Sequence, residues 1–321
     1  MRNGCWIWVL ALAGCSVEAE VASLAIVSPA PGAAFTRDQL GSTGGLVAPV
    51  EIEVDVGGDI ARVALRAGDR ELGDVADGAL TAELAESGPV TLIATAFDAG
   101  GIELLSASVD ITITDPAVAD CHGWLDLYRV DYTVGPDKPG VADPITVMLP
   151  LNGVAYRYSG NTSQRETLFG DCSLMKSLAE AAPIVRAHGV QELIDIGIYN
   201  YRCIDQTKTP PNCSMSQHAY AKAIDIAQLV TPDASYSVLD DWVIDPDDDT
   251  CTATTESDKD AWLHQVICEL KRAGVWNIVL TPNYNGDHRN HFHVDLTDGA
   301  DFIERTADGD PVDAAYTLLD F

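Results

Sequence analysis

Every histidine of this 321-residue chain lies beyond residue 120, and so do six of its eight cysteines. Metal, disulfide or imidazole chemistry must therefore be built after that point. Residues 21–115 have to fold on apolar packing alone. There Val50, Ile52, Val54 and Val56 alternate with Glu51, Glu53 and Asp55, and Val109, Ile111 and Ile113 alternate with Asp110, Thr112 and Thr114. A period of two predicts half-buried strands. Gly and Pro clusters such as Pro29–Gly32, Gly57-Gly58 and Asp98–Gly101 mark turns between them. Several short strands over about 95 residues predict an all-β sandwich. Asp115 to Asp120 reads as a linker, and a length of 321 residues suits two domains.

The first domain is similar to the Ig-like modules of bacterial surface proteins, which implies a spacer or a binding module. Ahead of it, Arg2 is followed by the apolar run Trp6–Ala13 and by Leu12-Ala13-Gly14-Cys15. This resembles the bacterial lipoprotein signal. The resemblance implies that residues 1–15 are a signal whose Cys15 is lipidated and becomes the mature N-terminus. A plain secretory signal cut nearby is the alternative. Ser16, with no Asp after Cys15, implies outer-membrane sorting in a Gram-negative host, facing the periplasm or the cell surface. No apolar run approaches the roughly 20 residues that span a bilayer, so contact with the membrane is expected through the lipid anchor only. Export places the chain where disulfides persist. Cys121, Cys172, Cys203, Cys213, Cys251 and Cys268 allow 15 connectivities, of which pairing by neighbours is the simplest.

Beyond residue 120 the periodicity changes. Leu174, Leu178, Ala181, Ala182 and Val185 predict a helix over 173–188, closed by Gly189 and interrupted at Pro183. Trp262, Val266, Ile267 and Leu270 predict a second over 260–273, closed by Gly274. Strand-like pieces are 193–199, 223–229, 275–280 and 291–296. Helices and strands without regular alternation predict an α+β domain over 120–321. The run 240–249, with six Asp, reads as a solvated loop, because its spacing matches no EF-hand.

Four histidines fall in two short segments, Ser216-Gln-His218-Ala-Tyr-Ala-Lys-Ala-Ile-Asp225 and His288-Arg-Asn-His291-Phe-His293-Val-Asp295. Catalytic zinc takes three His or carboxylate ligands and keeps one position open. On a strand, His291 and His293 share a face with Asp295 following, while Phe292 and Val294 point into a core. Asp225 lies between Ile224 and Ile226, and a buried carboxylate is costly unless paired or metal-bound.

Ser216-x-His218-x-x-Ala221-x-Ala223-x-Asp225 resembles the SxHxxGxAxD motif of the D-alanyl-D-alanine metallopeptidases. His288-x-x-His291-x-His293 resembles the penicillin-insensitive murein endopeptidases. Together with Cys172-Ser-Leu174, Tyr201-Arg202-Cys203 and Tyr284-Asn285, these segments resemble most the extensin-like C-terminal family, over roughly residues 120–300. The resemblance implies a zinc metallopeptidase-like domain with His218, Asp225 and His293 as Zn2+ ligands. It implies His291 as base or supporting group, His288 along the cleft, and Arg202 stabilising an oxyanion. It also implies a Cys203–Cys213 bridge that stiffens the approach to His218.

The expected activity is hydrolysis of peptidoglycan stem peptides by metal-activated water. Three features depart from the pattern: Ala221 stands for Gly, the order Tyr-Arg-Cys replaces Tyr-x-Cys-Arg, and Asn290 stands where the carboxypeptidases and extensin-like proteins carry Glu or Asp, although the murein endopeptidases also lack an acid there and rely on histidines. Asn290 opens an alternative, a catalytically silent zinc-binding wall-recognition module. A third is a disulfide-stapled adhesion protein with incidental histidines. Nucleic acid is excluded by charge: 49 acidic against 19 basic side chains give −30, spread along the whole chain.

Overall fold

A computed structural model describes residues 21–245 and 249–303. The expected signal segment and Cys15 lie outside the described residues. The chain is β-rich, 39% strand against 18% helix. It divides into two compact units. One comprises Ala48–Asp115 with the chain up to Arg37; the other comprises Asp38–Val47 with the chain from Pro116. The expected 21–115 domain thus lacks its 38–47 excursion, whose Leu40 and Leu46 contribute apolar side chains to the core of the second unit. Among the described residues no helix is long and apolar enough to cross a membrane.

The first unit is two sheets around one core. Ser23–Ser28 and Ala79–Leu84 both pair with Leu46–Gly57. The second sheet runs Ala34–Thr36, Glu103–Thr114, Gly88–Phe97, Arg62–Ala67, Arg70–Asp74. The alternation read from sequence is the burial pattern: Val50, Ile52 and Val54 face Leu65, Leu92 and Ile111 in one apolar cluster.

The second unit is built on a seven-stranded sheet. Its order is Ala155–Tyr158, Glu192–Gly197, Ala223–Val230, Phe292–Asp295, Ile278–Leu280, Phe302–Ile303, with Ser235–Ser237 added to the third strand. A smaller sheet joins Tyr132–Val134, Pro144–Met148 and Thr167–Asp171. Helices Cys172–Ala187 and Asp258–Arg272 bury Leu174, Leu178, Val185, Leu263, Ile267 and Leu270 in one core with Ile224, Phe292 and Val294. Asp171 and Ser257 cap their N-termini, and Gly189 and Gly274 follow their ends with positive φ.

Three expectations are corrected. The first helix runs through Pro183 without interruption. Proline has no N–H to give the Ala179 carbonyl, and Asn152 Nδ2 donates to it instead at 3.4 Å. The 275–280 strand begins only at Ile278, and the carbonyls of Trp276 and Asn277 just before it accept from Lys271 Nζ. The acidic run is not simply a solvated loop. Trp242 within it is buried, stacked 3.9 Å from the His264 ring, and its Nε1 donates to Asn283 Oδ1. Asp241 pairs with Lys259; residues 246–248 lie outside the description.

The six cysteines pair by neighbours: Cys121–Cys172, Cys203–Cys213 and Cys251–Cys268. Loop entropy ranks them by separation, 51 residues for the first against 10 for the second. Replacing the Cys121–Cys172 pair with serines is expected to cost about 4 kcal/mol, and the Cys203–Cys213 pair about 3 kcal/mol. Denaturant unfolding followed by tryptophan fluorescence tests this, since the described tryptophans all lie beyond residue 120. The reverse order would contradict it.

Candidate metal centre

The site forms where the third strand of the large sheet meets its neighbours. The register places Asp225 opposite His293 on one side and opposite Gly197 on the other. Phe292 and Val294 turn into the core, as the alternation requires, so His293 faces away from it. His218 arrives from a short 3-10 turn, Gln217–Tyr220, capped by the Ser216 hydroxyl. That turn ends on Ala221 with φ 54°, in the left-handed region. An alanine there costs about 1–2 kcal/mol. Its methyl is fully buried, which returns about 0.8 kcal/mol. The position where the SxHxxGxAxD motif has glycine thus has positive φ in this chain.

Three atoms converge. His218 Nε2 lies 3.1 Å from Asp225 Oδ1 and 3.2 Å from His293 Nδ1, and His293 Nδ1 lies 2.9 Å from Asp225 Oδ1. The opposite ring nitrogens are already committed. His218 Nδ1 meets the Ile198 carbonyl at 2.9 Å, and His293 Nε2 meets Asp295 Oδ2 at 3.0 Å. Both partners only accept, so both of these nitrogens carry hydrogen. In their neutral form the rings therefore aim lone pairs at each other and at a carboxylate oxygen, and without an ion a shared proton must take the place between them. Three acceptors this close call for a cation. The edges match too, since donors about 2.0–2.1 Å from a tetrahedral zinc lie about 3.3 Å apart. The residues present fit zinc, with ring orientation fixed from behind by Ile198 and Asp295.

Electrostatics agree that positive charge is favoured here. Burial opposes charge on His293, but hydrogen bonds to Asp225 and Asp295 outweigh it and push the pKa up to about 9. Burial likewise works against the Asp225 carboxylate, yet hydrogen bonds from His218 and His293 hold it well below the usual range. A second cluster, His122, Asp143 and Cys172, offers no comparable set, because its sulfur is in the Cys121 disulfide.

With the triad in place, the homology is informative. Residues 159–303 match the family model described as extensin-like protein C-terminus. All three triad residues lie inside this extensin-like segment, as do Arg202, His288 and His291. No curated protein matches the chain. Among solved structures it is similar to the fibronectin(III)-like modules of Clostridium thermocellum CbhA, at 18% identity and TM-score 0.25, over 30% of this chain and 100% of that one. It is also similar to the Parabacteroides merdae β-glucuronidase, at 10% identity and TM-score 0.23, over 40% and 15%. For Bacteroides uniformis β-glucuronidase 3 the values are 13% and 0.23, over 47% and 20%. The chain spans a fifth or less of these glucuronidases, and likenesses this low carry no argument about fold or activity.

Within the extensin-like segment, a cavity of about 470 Å³ opens beside the triad, lined among others by Arg202, Gln206, Tyr284, His288 and His291. His291 Nε2 stands 3.5 Å from Asp225 Oδ1, and its Nδ1 is 2.8 Å from Asn290 Oδ1. The His288 ring centroid is 5.3 Å from that of His291 and 5.7 Å from that of His293. Burial and the neighbouring histidines push the His288 pKa down to about 3; burial also lowers that of His291. Arg202 bonds only weakly to its neighbour's carbonyl, at 3.4 Å. The Cys203–Cys213 bridge, with Ser216 N–H donating to the Arg202 carbonyl, ties that arginine to the capping residue of His218. Five of the six expected site residues thus line one cavity, and the sixth, His218, touches two of them from the adjoining one.

Sequence reasoning missed the supporting groups. The Ile198 carbonyl is main chain and leaves no signal. Asn285 is a second case. Its Oδ1 accepts the backbone N–H of Asp287 and His288, which fixes that atom as oxygen. His288 Nδ1, 2.7 Å away, must therefore be the donor, so neutral His288 presents a bare Nε2. Nitrogen-15 NMR of the imidazoles is expected to find Nε2 unprotonated at pH 7, and Asn285→Ala to give a tautomer mixture. A protonated Nε2 in the wild type would refute the assignment.

Asp195 is the third. It is fully buried, accepts from Arg165 Nη2 at 2.7 Å, and has no protein partner on Oδ2 among the described residues. Burial raises its pKa to about 6, against the opposing pull of Arg165. Between about 4, the unfolded value, and about 6 the folded chain holds a proton that the unfolded chain releases. This contribution is present below pH 4 and lost as pH rises to 6, on the order of 3 kcal/mol in all. Asp195→Asn is expected to flatten that part of the stability–pH curve; an unchanged difference between pH 4 and 6 would argue against it.

Proposed function

We propose that the C-terminal unit is a zinc-dependent peptidase acting on peptidoglycan stem peptides, carried by an exported lipoprotein whose Cys15 lipid anchors it in the outer membrane. The observation that carries this reading is the convergence of His218 Nε2, Asp225 Oδ1 and His293 Nδ1 within 3.2 Å of one another at the wall of a cavity. The resemblance to D-alanyl-D-alanine metallopeptidases and murein endopeptidases supplies the substrate class. Three disulfides suit an oxidising compartment outside the cytoplasm.

His218, Asp225 and His293 would hold the ion, which supplies a Lewis acid for the scissile carbonyl and brings the pKa of water toward about 7. The chain's own groups do the rest. His291, whose Nε2 stands 3.5 Å from Asp225 Oδ1, receives the proton of the attacking water and returns it to the leaving amine. His288, neutral and fixed by Asn285, lines the cleft beside it. Arg202, at the cavity wall, offsets the negative charge that grows on the carbonyl oxygen. Asp295 and Ile198 keep the two ligand rings from rotating.

One observation favours a second reading, in which the unit binds zinc and the wall without hydrolysis. Position 290 is an amide, and it is engaged with His291. An inert parent that gains activity on Asn290→Asp would support that reading.

Metal analysis of the purified protein is expected to find about one zinc per chain, lost in His218→Ala and His293→Ala. Chelation should lower the unfolding midpoint, by about 4 kcal/mol of stability if free zinc exceeds Kd a thousandfold. Muropeptides should be cleaved by the loaded wild type and not by the variants. An intact digest with zinc bound would end the hydrolytic reading, and absence of zinc would end both.

A further inference from the structure

The cavity beside the triad has a neighbour. A second one, of about 300 Å³, is lined by Tyr158 and by the 196–200 segment, and it reaches His218. Arg202 and Asp225 line both. The triad therefore stands at a junction, with His291 and His293 on one arm and His218 on the other. Each arm alone reaches the size of ordinary ligand pockets.

We infer that the two cavities are arms of one trough, and that it takes a peptide continuing on both sides of the bond attacked, so that the bond is internal rather than C-terminal. This rests on the proposed peptidase reading and names its substrate class.

Two further observations point the same way. The first is a strand edge. Ala155–Tyr158 pairs in parallel with Glu192–Gly197 only as far as Tyr158 opposite Asp195. The longer strand runs on to Gly197 past the end of that partner, and this stretch lines the second arm. An extended peptide can add to such an edge through main-chain hydrogen bonds. The second is charge. An enzyme that removes a terminal residue must hold a free carboxylate one residue beyond the scissile bond. Among the residues lining the two arms, Arg202 is the only Arg or Lys, and it stands at the junction beside the reacting centre. The first arm instead carries Asp287. A terminal carboxylate would find no Arg or Lys in either arm other than Arg202 at the junction, whereas the neutral amides of a continuing chain need none.

The test offers the zinc-loaded full chain a cross-linked muropeptide dimer and an uncross-linked monomer ending in D-alanyl-D-alanine. The expected result is conversion of dimer to monomers with kcat/KM at least tenfold above release of the terminal residue. Preferential release of that residue overturns the inference while leaving the peptidase reading intact. If neither is cut although zinc is bound, the hydrolytic reading fails and binding decides. Amide NMR shifts on adding the dimer should then move at both 196–200 and 284–287. Shifts at one segment alone, or at neither, overturn the trough.

Discussion

The antiparallel register between Ala223–Val230 and Phe292–Asp295 is the constraint on which the rest of the site depends. It sets Asp225 directly across from His293. A slip of one residue would turn the imidazole into the core and Phe292 toward the cavity. The register is pinned by what lies behind it. Ile224, Phe292 and Val294 are buried in one cluster with both long helices, so the apolar face tolerates only one alignment. The chemistry-bearing face is positioned by the packing of the face opposite.

Orientation is handled by a separate layer of accepting groups. Main-chain carbonyl Ile198, carboxylate Asp295 and amide Asn285 each take one ring hydrogen and so decide which nitrogen is left bare. Each is itself held. Asp295 accepts from Thr297 N–H, and Asn285 from two backbone N–H groups of its own turn. Rings braced in this way lose little freedom on taking a ligand or a proton.

Much of this was legible in the chain. Period-two alternation located Leu46–Gly57 and Glu103–Thr114, because one face of each strand is buried and the other wet. The His-x-His spacing located two side chains on one face of a strand. Glycines after residues 188 and 273 located two helix ends. What was not legible depends on long-range contacts. The 38–47 excursion joins the second unit through Leu40 and Leu46, which read locally like any loop leucines. Asn152, remote in sequence from the helix, donates to the carbonyl that Pro183 leaves without a donor. Asp195 gave no sign of its partner, since Arg165, which donates to it, lies 30 residues away in the sequence.

The depth of the triad has a kinetic consequence. His218 is 4% exposed and His293 6%, and among the described residues the cavities that border Asp225 give access to the proposed ligand atoms. Ion and substrate would then share one doorway. Loading has to precede occupancy, and an occupied cleft would slow exchange of the ion with chelators in the medium. Resistance to stripping would thus rise with substrate present, although no ligand of the ion has changed.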